Sequence, residues 1–163
     1  EDYDRYVQFK MPNLYISEVL ERIDDDKERV SFTYTEMCLA NLKPWLCKAV
    51  AAYSRHYLRI DHVVLSGQTG PKGATGSFWS LTEKKPEWSY EDKRQLNVLD
   101  GSWYAEALDP DVFGENRVYV RYFVLSDPAI PSVYTNVGNA EEQFAAGVEN
   151  VIKALAAVAK RRH

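Results

Sequence analysis

Ser66-Gly-Gln-Thr-Gly-Pro-Lys-Gly-Ala-Thr-Gly76 restricts this chain more than any other stretch. It follows an apolar, β-branched run, Ile60 to Leu65. A glycine-rich loop at the end of a strand binds phosphate when a helix N-terminus comes next. What comes next is Ser77-Phe-Trp-Ser-Leu-Thr82, aromatic and alternating, and then Pro86. The segment therefore reads as a long turn in a hairpin of Ile60–Ser66 and Ser77–Glu83. Lys72 is followed by Gly73 rather than by the Ser or Thr that a phosphate loop places there. Glycines at 67, 70, 73 and 76 repeat every three residues as in collagen, but so few triplets cannot hold three chains together. Gln68, Thr69, Lys72 and Thr75 remain as candidates for touching a ligand or partner from a mobile loop.

The chain has 163 residues, enough for one domain with its own core. Hydrophobic residues make up 45% and charged residues 27%, a globular composition rather than a disordered one. Eleven tyrosines and four tryptophans point to a core built around a sheet. The net charge of −4 argues against general nucleic-acid binding, which needs a basic surface to displace counterions. No run approaches the ~18 apolar residues of a membrane-spanning helix, so a soluble chain is expected. The chain begins at Glu1 rather than Met, which reads as a trimmed or processed start.

Residues 1–12 are polar, acidic and tyrosine-rich, an arm or an edge strand, with Tyr3, Tyr6 and Phe9 as candidate interface residues. Residues 13–163 read as a single α+β domain. Leu14, Ile16, Val19, Leu20 and Ile23 fall at mostly helical spacing. The run Asp24-Asp25-Asp26 lacks the glycine and closing glutamate of a calcium loop and reads as a solvated turn. Thr33-Tyr-Thr-Glu36 has the form of a capping box. Cys38, Leu42, Trp45, Leu46, Ala49, Tyr53 and Tyr57 then fit one face of a core helix reaching Leu58, kinked or restarted at Pro44. In one unbroken helix Cys38 and Cys47 would stand about 13 Å apart. Two buried thiols are the expectation, with a disulfide open if Pro44 breaks the helix.

Beyond the glycine loop, Asp100-Gly101 is a two-residue hairpin signal between Arg94–Leu99 and Ser102–Leu108. Arg117–Leu125 is apolar on both faces, the pattern of a covered central strand. Asn139 and Glu142 begin a last helix that runs to the basic C-terminus. The expected fold is α+β: a four- to five-stranded, mainly antiparallel meander with N-terminal helices and a long C-terminal helix packed on one face.

Chemistry-bearing groups are sparse. His56, Asp61 and His62 are close in sequence, although neighbours on a strand point to opposite faces. Glu106 and Arg121 interrupt apolar strands that should be neighbours, as a cross-strand ion pair or as part of a polar cleft. Trp79 and Trp88 are either core or an anchor patch for a partner. No cofactor fingerprint and no metal-ligand spacing occurs. The sequence reads as a non-enzymatic interaction or assembly module that binds another protein or itself. The alternative is a small-molecule-binding or hydrolytic enzyme using His56, Asp61, His62, Glu106 and Arg121 in a pocket between sheet and helices.

Overall fold

The computed structural model describes residues 13–26, 28–39, 44–49, 53–65, 73–113, 117–128 and 149–153. Six strands follow one another in the chain and in space: β1 (Leu14–Asp24), β2 (Arg29–Cys38), β3 (Tyr53–Val64), β4 (Thr75–Thr82), β5 (Leu96–Ala107) and β6 (Val118–Pro128). Every neighbouring pair is antiparallel. Helix among the described residues is limited to α1 (Pro44–Ala49), α2 (Pro110–Phe113) and residues 149–153. The fold is therefore a six-stranded antiparallel sheet, and the expected α+β domain with N-terminal helices and a long C-terminal helix is corrected. Of that last helix only residues 149–153 are described.

The first expected helix is β1. Register shifts between Leu14 and Ile16 and between Val19 and Glu21 mark two β-bulges. Each bulge adds a residue and resets the two-residue alternation. Ile16 and Ile23, seven apart, thus face the same way, which imitates a helical repeat. The expected core helix over residues 33–58 is β2, α1 and β3. Tyr53 and Tyr57 are four apart, a spacing that puts side chains together on a strand as well as on a helix. Val30, Phe32 and Tyr34 alternate with Ser31, Thr33 and Thr35, and that two-residue period outweighs the capping-box pattern. Pro44 opens α1, where its missing N–H costs nothing.

Breaking the helix changes the cysteines. Cys38 ends β2, Cys47 lies in α1, and they form a disulfide with their Cα atoms 6.0 Å apart. The expected free thiols are corrected. Asp100-Gly101 is also not a turn: both residues lie inside β5. A Cβ on Gly101 would fall inside the Trp79 indole and 2.7 Å from the Phe123 carbonyl oxygen. Glycine is there to admit the tryptophan across the strand, not to bend the chain. The pairing of β3 with β4, His62 opposite Ser77 and Val64 opposite Thr75, is the hairpin expected around the glycine segment. Gly76 lies within β4, so a strand follows the loop rather than a helix.

Alternation gives the sheet two distinct faces. The tyrosine face carries Val30, Phe32, Tyr34 and Glu36 of β2 and Tyr53, Arg55, Tyr57 and Arg59 of β3. The histidine face carries Ser31, Thr33 and Thr35 of β2 and Ser54, His56, Ile60 and His62 of β3. The connection of residues 83–95 crosses the tyrosine face. Trp88 packs on Phe32 and Tyr57 with ring centroids 5.5 and 4.9 Å away. Tyr90 stacks on Tyr34 at 4.0 Å, and the Tyr57 hydroxyl donates to the Tyr90 carbonyl at 2.6 Å. Lys85 pairs with Glu21 at 2.7 Å while its ammonium sits 4.2 Å from the Phe32 ring centre. Val30, Phe32, Tyr34, Tyr57 and Trp88 thereby form the buried core cluster, flanked by Ile16, Leu20, Ile23 and Tyr90. Where β4 stops, Lys93 takes its place beside β3 by exchanging two backbone hydrogen bonds with Arg55.

Candidate functional site

Among the described residues, the polar groups considered for function lie in three separate places. On the tyrosine face Glu36 accepts hydrogen bonds from Tyr34 at 2.7 Å and from Tyr53, with the Arg55 guanidinium 3.8 Å away. Burial opposes ionisation of Glu36. The two hydroxyls and the cations of Arg55 and Lys48 outweigh burial and hold its carboxyl below the usual range. Burial first, and Glu36 second, push Tyr34 and Tyr53 well above an ordinary phenol. Arg55 also binds Glu91 at 2.8 Å, and Tyr15 stacks on Tyr53 at 5.6 Å. An ionised carboxylate engaged this way, among phenols that keep their protons, ties β2, β3 and the crossing connection together.

On the histidine face His62 lies between the hydroxyls of Ser31 and Ser77, at 3.1 and 3.2 Å. His56 is fully buried, with Nδ1 3.0 Å from Ser54 Oγ, which also accepts the Gln95 amide at 3.2 Å. Its Nε2 has no hydrogen-bond partner. Desolvation lowers His56 to about 4, with Asp92 opposing and Arg94 reinforcing the shift. The imidazole is therefore neutral at pH 7.

The third place is the β5–β6 flank. Arg121 faces Tyr104 across the strands, its guanidinium 5.5 Å from the ring centre, and the Tyr104 hydroxyl donates to Glu106. Tyr104 thus stands between Glu106 and Arg121, in place of the direct cross-strand ion pair expected from the sequence. On the opposite face Trp79, Trp103 and Tyr122 cluster, with Tyr122 lying 5.7 and 4.2 Å from the two indoles. Burial pushes the Tyr122 phenol up to about 12.

The five residues considered for catalysis do not converge. His56 and His62 share a face, but six residues along a strand separate their Cα atoms by about 20 Å. Asp61 points to the other face and is held by Arg59 at 2.8 Å. Glu106 and Arg121 meet only through Tyr104, on strands remote from His56. Trp88, considered as an interface residue, is core, and Trp79 is half-buried over Gly101. Thr75 is exposed at the start of β4. Gln68, Thr69, Lys72, Tyr3, Tyr6 and Phe9 lie outside the described residues, and among those described no three His, Cys, Asp or Glu side chains could hold a metal. No helix among them is long and apolar enough to cross a membrane.

Sequence reasoning found β6 as a strand but misjudged its place in the sheet. Its two apolar faces read as a central strand, yet it is the last in the sheet order and has only β5 as a partner among the described strands. Val118, Val120, Phe123 and Leu125 are each more than half exposed, as is Phe78 on β4. Phe78, Phe123 and Leu125 share the tyrosine face, and Ser102 of β5 lies between Phe78 and Phe123. A strand with apolar side chains exposed on both sides leaves hydrophobic area open and, among the described strands, a backbone edge with it. The only sequence signal was the pattern itself, which fits a covered strand and an unfilled one equally. No family model matches the chain, and no curated protein or solved structure proved significantly similar to it.

Proposed function

We propose that this chain is a protein-interaction module that works through the β5–β6 flank of its sheet. The observation that carries the reading is the exposure of Val118, Val120, Phe123 and Leu125 on a strand at the end of the sheet order. Strand addition along such an edge supplies backbone hydrogen bonds for affinity, and the flanking side chains supply specificity. The opposite edge is unlike it. β1 is broken by two bulges and carries Glu18, Glu21, Arg22 and Asp24, devices that discourage edge pairing. From Val98 to Ala107, β5 pairs with β6 without a register break, so among the described strands β6 presents a regular outer edge. The buried Cys38–Cys47 disulfide supports placing the chain in an oxidising compartment.

The test is backbone hydrogen exchange on the tagged chain, alone and in the complex it forms in an extract of its native source. The expected result is protection of β6 amides in the complex, and loss of the complex in a Val120→Lys/Phe123→Lys variant that stays folded. A complex that survives in this variant, with β6 still exchanging freely, overturns the reading.

A further inference from the structure

We infer that the occupant of the β6 edge is a second copy of this chain, paired antiparallel through β6 about a two-fold axis at Tyr122. The inference rests on the interaction reading above and gives it a partner and a register. A two-fold axis between antiparallel strands places residue i opposite the residue equally far beyond the axis, so the strand must complement its own reversal. About Tyr122, Arg117 falls opposite Asp127 of the second copy, and this pair occurs twice. Tyr119 falls opposite Leu125 and Val120 opposite Val124. Arg121 falls opposite Phe123, where a guanidinium lies favourably against an aromatic ring. The side chains this pairing brings together include those the isolated chain leaves exposed: Val118, Tyr119, Val120, Phe123 and Leu125.

The register has further support at the strand's ends. Arg117, just before β6, and Asp127, near its end, lie at equal distances from Tyr122, with apolar residues predominating between them. Pro128, which has no amide to give a ladder, falls just outside the paired stretch. Joining two copies this way makes one continuous twelve-stranded sheet, because each copy adds its six strands in order. The bulged, charged β1 edges then lie at the two outer ends, where further growth is discouraged.

Sedimentation equilibrium on the purified full chain, with three charge variants, tests the pairing. Wild type is expected to be a concentration-dependent dimer. Arg117→Asp places aspartate opposite Asp127, and Asp127→Arg places arginine opposite Arg117. Each is expected to weaken self-association by about tenfold or more. An equimolar mixture of the two should form a heterodimer of near wild-type affinity, because both pairs become complementary again. The double variant Arg117→Asp/Asp127→Arg should recover the homodimer. A wild-type chain that stays monomeric at high concentration overturns the inference. So does a dimer indifferent to the charge reversals, or a mixture that fails to rescue association. If the complex formed in the native extract still depends on Val120 and Phe123 while the purified chain is monomeric, the second-copy inference falls alone. If that complex is also indifferent to Val120 and Phe123, both fall.

Discussion

Replacing His56 with leucine should remove the loss of stability that this buried imidazole causes in mild acid. His56 is wholly buried, and desolvation lowers its folded-state value from 6.5 to about 4. Below pH 6.5 the unfolded chain takes up a proton on this imidazole while the folded chain does not. Protons bound preferentially by the unfolded state destabilise the fold, so the neutral-histidine contribution is complete above 6.5 and is lost as pH falls toward 4. The full gap of 2.5 units corresponds to roughly 3 kcal/mol at 1.36 kcal/mol per unit. About 2 to 3 kcal/mol of it falls between pH 6.5 and 4.5. Glu36 and Glu91, whose folded values are lowered from 4.5, contribute mainly below that interval. Leucine is close to histidine in volume, leaves Ser54 its bond from the Gln95 amide, and removes the unpartnered Nε2. Urea unfolding of both chains with the disulfide intact, at steps between pH 7.5 and 4.5, measures the difference. Wild type should lose about 2 to 3 kcal/mol more than the variant over that range. Parallel stability curves for the two chains would refute the reasoning, as would a folded-state His56 resonance titrating near 6.5.

Two further outcomes test the fold. Cys38→Ser/Cys47→Ser opens a loop with a sequence separation of 9 and should cost roughly 2.5 kcal/mol by loop entropy, read as a lower urea midpoint; an unchanged midpoint would mean that α1 is held by packing alone. Gly101→Ala should cost about 3 kcal/mol, because the new methyl displaces the Trp79 indole and the small gain in strand propensity cannot offset it. The same variant should change the near-ultraviolet circular dichroism of the Trp79, Trp103 and Tyr122 cluster, and a variant with wild-type stability and spectrum would show that Trp79 does not lie across this glycine.

The sequence was most readable where one period stood alone and least readable where two periods agreed. Ile60–Leu65 and Ser77–Thr82, on either side of the glycines, pair as expected because β-branched and aromatic residues fit only the strand pattern there. β1 was misread because its bulges turn a two-residue alternation into spacings of three, four and seven. From Cys38 to Tyr57 the chain satisfied helical spacing by passing through a strand, a one-and-a-half-turn helix and a second strand. The disulfide was hidden by the same error, since the assumed helix carried the two sulfurs apart. Trp88 lies in a connection with no periodicity, and only the crossing path of residues 83–95 over Phe32 and Tyr57 makes it core. Glu106 and Arg121 were placed on neighbouring strands, where they are, but pairing by strand could not reveal that Tyr104 stands between them. For β6, hydrophobic pattern reports what a strand needs to bury and not whether its own chain buries it.

That distinction bears on how unevenly the sheet is finished. At the β1–β3 end, the connection of residues 83–95 brings Lys85, Trp88 and Tyr90 over the tyrosine face, and Phe32, Tyr34 and Tyr57 are buried beneath it. The β4–β6 end of the same face keeps Phe78, Phe123 and Leu125 more than half exposed. Side chains of this size each gain about 1.5 to 3 kcal/mol on full burial, so covering one flank and leaving the other open is a large imbalance within one sheet. Charge could have made the open flank soluble by itself, as Glu18, Glu21, Arg22 and Asp24 do for β1. Instead β6 carries only Arg121 and Asp127 as charges, with Arg117 just before it. A strand patterned that way gains little from water and much from a second strand, which is why its edge, rather than either histidine, is where we place this protein's function.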